Sequence, residues 1–134
     1  MKFGRLSVDQ AEGAILAHSV GGIKKGHVLA SGDIDTLRQA GVTEIMAAIL
    51  EAGDIPEDEA ARIIASALAG EALAQSTAHT GRCNLLAAAN GLVLLDEDTV
   101  NRINRIHESI TVATLRPHER VRDRQMVATV KIIP

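Results

Sequence analysis

The apolar runs of this 134-residue sequence are short, and each is interrupted by glycine or by a charged residue. A helix that spans a membrane needs about 18 or more consecutive apolar residues, and no run here approaches that length. Short runs of this kind suit brief strands and helices that alternate along the chain. The sequence therefore predicts a water-soluble protein of mixed secondary structure with no membrane partner.

The clearest helix signal lies in "GDIPEDEAARIIASALAG". Pro56 suits the first helical position, and the three acids that follow it complement the positive end of the helix dipole. Gly70 is expected to end the helix. An apolar stripe is predicted at helical spacing, formed by Ile63, Ile64, Ala67 and Leu68.

Two further helices are predicted. One begins at about Asp33, where Ser31 or Asp33 can cap it, and stops at Gly41. The other is "EDTVNRINRIHES", with Asp96 as its capping residue. Together with the first, these make about three helices.

Strands are predicted between the helices. The segments are "GAILAHSV", residues 27–30, a run from about Thr43, "CNLLAAANGLVLL", "ITVATL" and "MVATVKII". Asn90-Gly91 lies between two apolar runs, which is typical of a type I′ hairpin turn. The stretch "RPHERVRDRQ" is expected to be a charged loop. The predicted fold class is α+β, a compact domain over 1–134 with mixed strands, in which lost periodicity after Gly70 suggests lobes 1–70 and 71–134.

Charge and cysteine content narrow the classes of partner and compartment. The formal net charge is −3 and the pI is about 5.9, so the chain lacks the net positive charge expected of a protein that neutralises nucleic-acid phosphates. A single cysteine, Cys83, cannot form an internal disulfide, and we interpret it as a small buried hydrophobe. Acidic residues stand where a signal peptide would need its apolar segment. We therefore expect a cytoplasmic protein with no nucleic-acid partner.

Standard catalytic motifs are absent from the sequence, and the five histidines are scattered without metal-ligand spacing. No catalytic residue and no metal ligand is assigned on this basis. What remains is "AHTGRCN", where a turn at Thr80-Gly81 could present backbone N–H groups beside Arg82. That combination suits a phosphate or a carboxylate. The alternative is structural, with Arg82 paired to an acid and Asn84 satisfying a turn.

A family resemblance is carried by five segments, "AEGAILAHSV", "KKGHVLASGDIDTLRQAGVTEI", "LEAGDIPEDEAARIIASALAG", "TGRCNLLAAANGLVLLDEDTVNRINRIHESITVATL" and "QMVATVKIIP". Together these segments resemble the N-terminal portion of molybdopterin-binding proteins related to molybdopterin molybdotransferase. In some relatives this portion precedes a molybdopterin-binding domain and sometimes a cytidylyltransferase domain. The most specific parts are "TGR-x-N", "IN-x-I" and "VATVKIIP", and the resemblance covers nearly the whole chain. The family's glycine-rich, ligand-holding domain would follow Pro134, so the resemblance implies a noncatalytic accessory module that precedes a molybdopterin-binding domain.

The resemblance implies a cofactor and a set of binding residues. The cofactor is molybdopterin or a molybdopterin-derived compound. The residues expected to line a groove, completed by the molybdopterin-binding domain or by another subunit, are Arg82, Asn84, Asn104 and Lys131. Because Phe3 is the only aromatic residue, a planar ligand would need an arginine face or apolar side chains to stack on.

Two other functions are compatible with the sequence. The domain could act as a spacer or as a homo-oligomerisation module, with Asn101 and Asn104 bonding neighbouring loops. It could also be a small enzyme with His107 and Glu108 as an acid–base pair. Adjacent helical positions diverge by roughly 100°, however, which disfavours convergence of these two side chains on one substrate.

Overall fold

The computed structural model describes residues 1–133, which divide into two compact units. The first unit is Met1–Asp54 and the second runs from Ile55 onward. This division falls earlier in the chain than the boundary expected near Gly70, because the helix that ends there packs on strands of the second unit.

The first unit is a three-stranded antiparallel sheet with one helix. Its elements are β1 (Lys2–Ser7), a 3₁₀ turn (Val8–Gln10), β2 (Ile15–Leu16), α1 (Ser31–Gln39) and β3 (Glu44–Ile49). β3 is the central strand, with β1 and β2 on either side. The core is small and aliphatic, and its largest fully buried members are Val8, Leu16, Leu29 and Leu37.

The helix predicted from about Asp33 and the strand predicted from about Thr43 are both present, as α1 and β3, with small changes in their bounds. α1 begins at Ser31, and the Asp33 carboxylate accepts a hydrogen bond from the N–H of Ala30 at 2.9 Å. Gly41, at φ +71°, follows the end of the helix as expected. The strand predicted over 27–30 is wrong, because only Val28 forms a bridge, with Ile15. β1 was not predicted.

The second unit contains a four-stranded antiparallel sheet, a two-stranded ribbon and two helices. Its elements are α2 (Glu57–Leu68), β4 (Leu73–Gln75), β5 (Arg82–Ala87), β6 (Gly91–Leu92), α3 (Glu97–Ile103), β7 (Ile110–Thr114), β8 (Arg120–Val121) and β9 (Met126–Ile132). The sheet has the order β4-β5-β9-β7, and β6 pairs with β8. The predicted α+β class with three helices is confirmed.

α2 covers one face of the four-stranded sheet. Ala61 and Ala65 are fully buried against the sheet, and Ile64 and Leu68 pack beside them. Ile63, expected in the apolar stripe, is 43% exposed. The stripe that faces the sheet is thus formed by Ala61, Ile64, Ala65 and Leu68. Pro56 is the N-cap rather than the first helical residue.

The predicted hairpin at Asn90-Gly91 is wrong. β5 pairs with β4 and β9, whereas β6 pairs with β8, so the two apolar runs are not partners. Asn90 does not adopt a positive φ, and its side-chain Oδ1 accepts the N–H of Asp123 at 3.0 Å. The charged segment expected to be a loop supplies β8.

α3 is shorter than predicted and ends at Ile103. Asp96 caps it as expected, with its carboxylate accepting the Asp98 N–H at 3.1 Å. The Thr99 hydroxyl, and to a lesser extent this N–H, hold the pKa of Asp96 below its usual range. The helix ends where the Asn104 side chain bonds to β7 instead of lying along a further turn.

Candidate functional site

The candidate site begins at a tight turn formed by Thr80 and Gly81. Both residues have positive φ, 48° and 67°, and the backbones of His79 and Arg82 exchange two hydrogen bonds of 2.9 and 3.1 Å. This is the geometry of a two-residue type I′ hairpin turn. The turn expected at Thr80-Gly81 is therefore present, immediately before β5, whereas the hairpin turn predicted at Asn90-Gly91 is not.

The N–H of Gly81 does not face solvent, as the phosphate interpretation expected. It donates to the Asp58 carboxylate in the first turn of α2 at 2.6 Å. The Gly81 carbonyl accepts the Ile132 N–H at 2.7 Å, which ties the turn to β9. The Asp58 carboxylate thus accepts the Gly81 N–H that the turn could have offered to a ligand. An external anion must be bound by side chains instead.

Arg82 and Lys131 lie directly opposite each other on β5 and β9. Opposite residues of an antiparallel pair project from the same face of the sheet. Cys83, the next residue along β5, is fully buried on the α2 side, so Arg82 projects from the other face, where it is exposed. Two cations thus stand side by side on the face that α2 does not cover.

Asn84 lies on the same face as Arg82, two residues further along β5. It is opposite Thr129, whose hydroxyl donates to Asn84 Oδ1 at 2.7 Å. The backbone N–H of Asn84 donates to the Ser76 hydroxyl at 2.9 Å. We call the surface formed by Arg82, Asn84, Thr129 and Lys131 the Arg82–Lys131 face.

The Arg82–Lys131 face carries uncompensated positive charge. Within residues 1–133, no carboxylate lies within 4 Å of either cation. The ammonium of Lys131 donates to the carbonyl of Thr80, so it is held in place beside Arg82. Like charges directly opposite each other destabilise a sheet. An anion bound between these two side chains would remove that repulsion.

Asn104, the fourth expected site residue, lies apart from this face. Its Nδ2 donates to the carbonyl of Val112 at 2.9 Å, and its Oδ1 accepts the Val112 N–H at 2.7 Å. β7 is an edge strand, so Val112 has no further strand to pair with on that side. The Asn104 amide takes the place of a neighbouring strand, whereas the structural alternative expected it to bond a neighbouring loop.

Replacing Asn104 with alanine should lower the free energy of unfolding by about 1–2 kcal/mol, because both Val112 groups lose their partner. Chemical denaturation followed by circular dichroism measures the change. Asn101→Ala is the matched control, since Asn101 is exposed on α3 and has no side-chain hydrogen bond to residues 1–133. Equal stability of the two variants would contradict a strand-capping role for Asn104.

Thr80 is strained in this turn. A β-branched residue with positive φ is uncommon, and such strain persists mainly where surrounding structure enforces it, often at functional sites. Thr80→Asn creates the Asn-Gly pair favoured in type I′ turns and should raise the free energy of unfolding by about 1 kcal/mol. Thr77→Asn, at a neighbouring exposed threonine without positive φ, should leave it unchanged. A Thr80→Asn variant that is less stable than wild type would show that the turn is not strained.

The remaining polar candidates take local roles. Cys83 is fully buried, as predicted, and its thiol donates to the carbonyl of Ser76 at 3.3 Å. His107 Nδ1 accepts the backbone N–H of Ser109 at 3.1 Å, and Glu108 is exposed beside it. Within the described chain, no three His, Cys, Asp or Glu side chains converge as a metal site. None of the helices formed by residues 1–133 has the length and apolar character of a membrane span.

Sequence reasoning missed Asp58 and Thr129. In the sequence Asp58 is one of the three acids that complement the helix dipole, and nothing local distinguishes it from its neighbours. Thr129 could have been found, since the alternation in "MVATVKII" puts it on the same face as Lys131.

Comparison with known families is limited to the first unit. A family model described as a domain of unknown function (DUF8806) matches residues 5–49, well under half of the chain. No curated protein matches the chain. No solved structure matches it either.

Proposed function

We propose that this chain is a noncatalytic accessory module that holds part of molybdopterin, or of a molybdopterin-derived cofactor, on the Arg82–Lys131 face. The observation that carries the proposal is the cross-strand pair of cations without a carboxylate within 4 Å in residues 1–133. A phosphate group is the kind of anion that an arginine fork and a neighbouring ammonium bind well. The resemblance of "TGR-x-N" and "VATVKIIP" to molybdopterin-binding proteins supplies the identity of the ligand.

The groups on this face favour binding over chemistry. Arg82 and Lys131 are cations, and Asn84 and Thr129 offer an amide and a hydroxyl. None of these is an ordinary general base at neutral pH. The Asn84 Oδ1 is engaged by Thr129, which leaves the Nδ2 donor for a ligand oxygen. A set of donors and fixed charges positions an anion without transferring a proton.

The face is a pleated surface, so it would contribute one wall of a site. The partner in the proposal is a molybdopterin-binding domain or subunit that supplies the opposite wall, in the cytoplasm. Phe3 belongs to the first unit, so in the second unit the planar pterin would stack on the Arg82 guanidinium. Arg82 thereby has two roles, charge pairing and stacking.

The test is the pterin content of the purified 134-residue chain. The protein is produced in cells that synthesise the cofactor, then denatured and oxidised, and the pterin fluorescence of the extract is measured. The chain contains neither Trp nor Tyr, so its own fluorescence is small. We expect pterin in this extract and none in an extract of the chain produced in cells that lack the cofactor. Equal, background fluorescence from both preparations would refute the proposal.

A further inference from the structure

The ribbon formed by β6 and β8 carries a second concentration of positive charge. An open concavity of about 700 Å³ on this ribbon is lined by Asn90, Leu92, Arg120, Arg122 and Gln125, among others. Small-molecule sites commonly measure about 300–1,000 Å³. None of these residues belongs to the Arg82–Lys131 face.

Both arginines line the concavity. Val121 lies between them and is only 8% exposed, in a cluster with Val93 and Val127. Because successive side chains of a strand point to opposite faces, Arg120 of β8 projects from the outer face, and Arg122, which directly follows the strand, lines the same concavity. Leu92 is opposite Arg120 on β6 and is 55% exposed, which adds an apolar wall.

The two side-chain amides of the concavity present donors. Asn90 Oδ1 accepts the N–H of Asp123 at 3.0 Å, and Gln125 Oε1 accepts the N–H of Arg122 at 3.1 Å. Both carbonyl oxygens are therefore used within the protein. The NH₂ groups of Asn90 and Gln125 have no acceptor among residues 1–133.

The nearby acids do not neutralise the arginines. Glu119 Oε2 accepts the backbone N–H of Arg116 at 3.3 Å. Neither Arg120 nor Arg122 has a carboxylate within 4 Å in the described chain, Asp123 included. The concavity thus combines two guanidinium groups and two amide NH₂ groups, all donors, with no side-chain acceptor left free among these four residues.

We propose that this concavity is a second binding site, which takes a small molecule bearing phosphate or carboxylate groups. The oxyanion accepts hydrogen bonds from Arg120, Arg122 and the two amides, since guanidinium groups match such oxygens in pairs. Leu92 contacts the apolar part of the ligand. The site is independent of the function proposed for the Arg82–Lys131 face.

Calorimetric titration of the full chain tests this site. The background variant is Arg82→Gln/Lys131→Gln, which removes the other cationic face. Pyrophosphate and tricarballylate are the two probes, one for phosphate and one for carboxylate. At least one of them should bind this background saturably, and adding Arg120→Gln and Arg122→Gln should raise its Kd about tenfold per arginine. The control adds Arg102→Gln and Arg105→Gln, exposed arginines of the α3 region, and should leave the Kd unchanged.

Either of two results would overturn the proposal. One is that neither probe binds the background saturably, and the other is that the probe that binds does so equally after Arg120 and Arg122 are replaced. Circular dichroism of every variant checks that the fold is intact. An intact fold is expected when Arg120 and Arg122 are replaced, because both are exposed and neither side chain has a hydrogen bond or ion pair within residues 1–133.

Discussion

Gly81→Ala should lower the free energy of unfolding of the second unit by about 3 kcal/mol, the largest effect expected of any single methyl group added to a glycine of this chain. A Cβ on Gly81 would lie 2.7 Å from the carbonyl oxygen of Ile132 and 3.1 Å from Glu57 Oε2. The Ile132 carbonyl belongs to β9 and cannot move without disturbing the sheet. The left-handed φ of +67° adds a second cost for any residue with a Cβ.

The loss of stability in Gly81→Ala should be local and measurable. Hydrogen exchange at the amides of β5 and β9 reports on the second unit directly, and chemical denaturation gives the free energy. Gly70→Ala is the matched control, because a Cβ there meets nothing within 4 Å and φ is not in the left-handed region. We expect the control to stay within about 0.5 kcal/mol of wild type. A Gly81→Ala variant as stable as the control would contradict the turn geometry on which the site is built.

Arg82→Gln should reduce the pterin retained by the chain about tenfold, and Arg82→Gln/Lys131→Gln about a hundredfold. Each substitution removes one charge-assisted contact to the proposed phosphate. The melting temperature of Arg82→Gln should not fall, because the Arg82 side chain has no hydrogen bond or ion pair within residues 1–133 and faces another cation. Arg105→Gln, at another exposed arginine of the second unit, should retain pterin fully.

The Arg82→Gln and Arg82→Gln/Lys131→Gln variants distinguish a ligand-binding role of Arg82 from a structural one. If Arg82 were structural, its replacement would lower the melting temperature together with the pterin content. Lys131 also donates to the Thr80 carbonyl, so the double variant is expected to melt slightly lower than Arg82→Gln. Unchanged pterin content in the double variant would exclude the Arg82–Lys131 face as the binding surface.

Local signals in the sequence predicted most of the elements. α2 has acids at its first turn and a helical apolar period, and β9 has strand-like alternation, so both were found. The hairpin predicted at Asn90-Gly91 is wrong, because turn preference is local whereas strand pairing is not. Asn90-Gly91 has the favoured turn sequence, yet β9 inserts beside β5 and leaves β6 to pair with β8.

The candidate site likewise combines residues that have a local signal in the sequence with an arrangement that depends on strand pairing. The sequence and the family resemblance singled out Arg82, Asn84 and Lys131, and the structure brings these three together on one face. Their common position depends on the register of β5 against β9, which joins residues about fifty positions apart and has no local signature. Asn104 has a similar polar side chain, but its place beside the edge strand β7 gives it a backbone-bonding role.

The most direct test of the central claim is a nuclear magnetic resonance titration of the ¹⁵N-labelled chain with the pterin cofactor. We expect saturable shifts at the Arg82 Nε–H and at the amides of Asn84, Thr129 and Lys131, with β1 and β3 of the first unit unaffected. Saturable shifts confined to other surfaces, or no shifts at all, would contradict the assignment of the cofactor to the Arg82–Lys131 face.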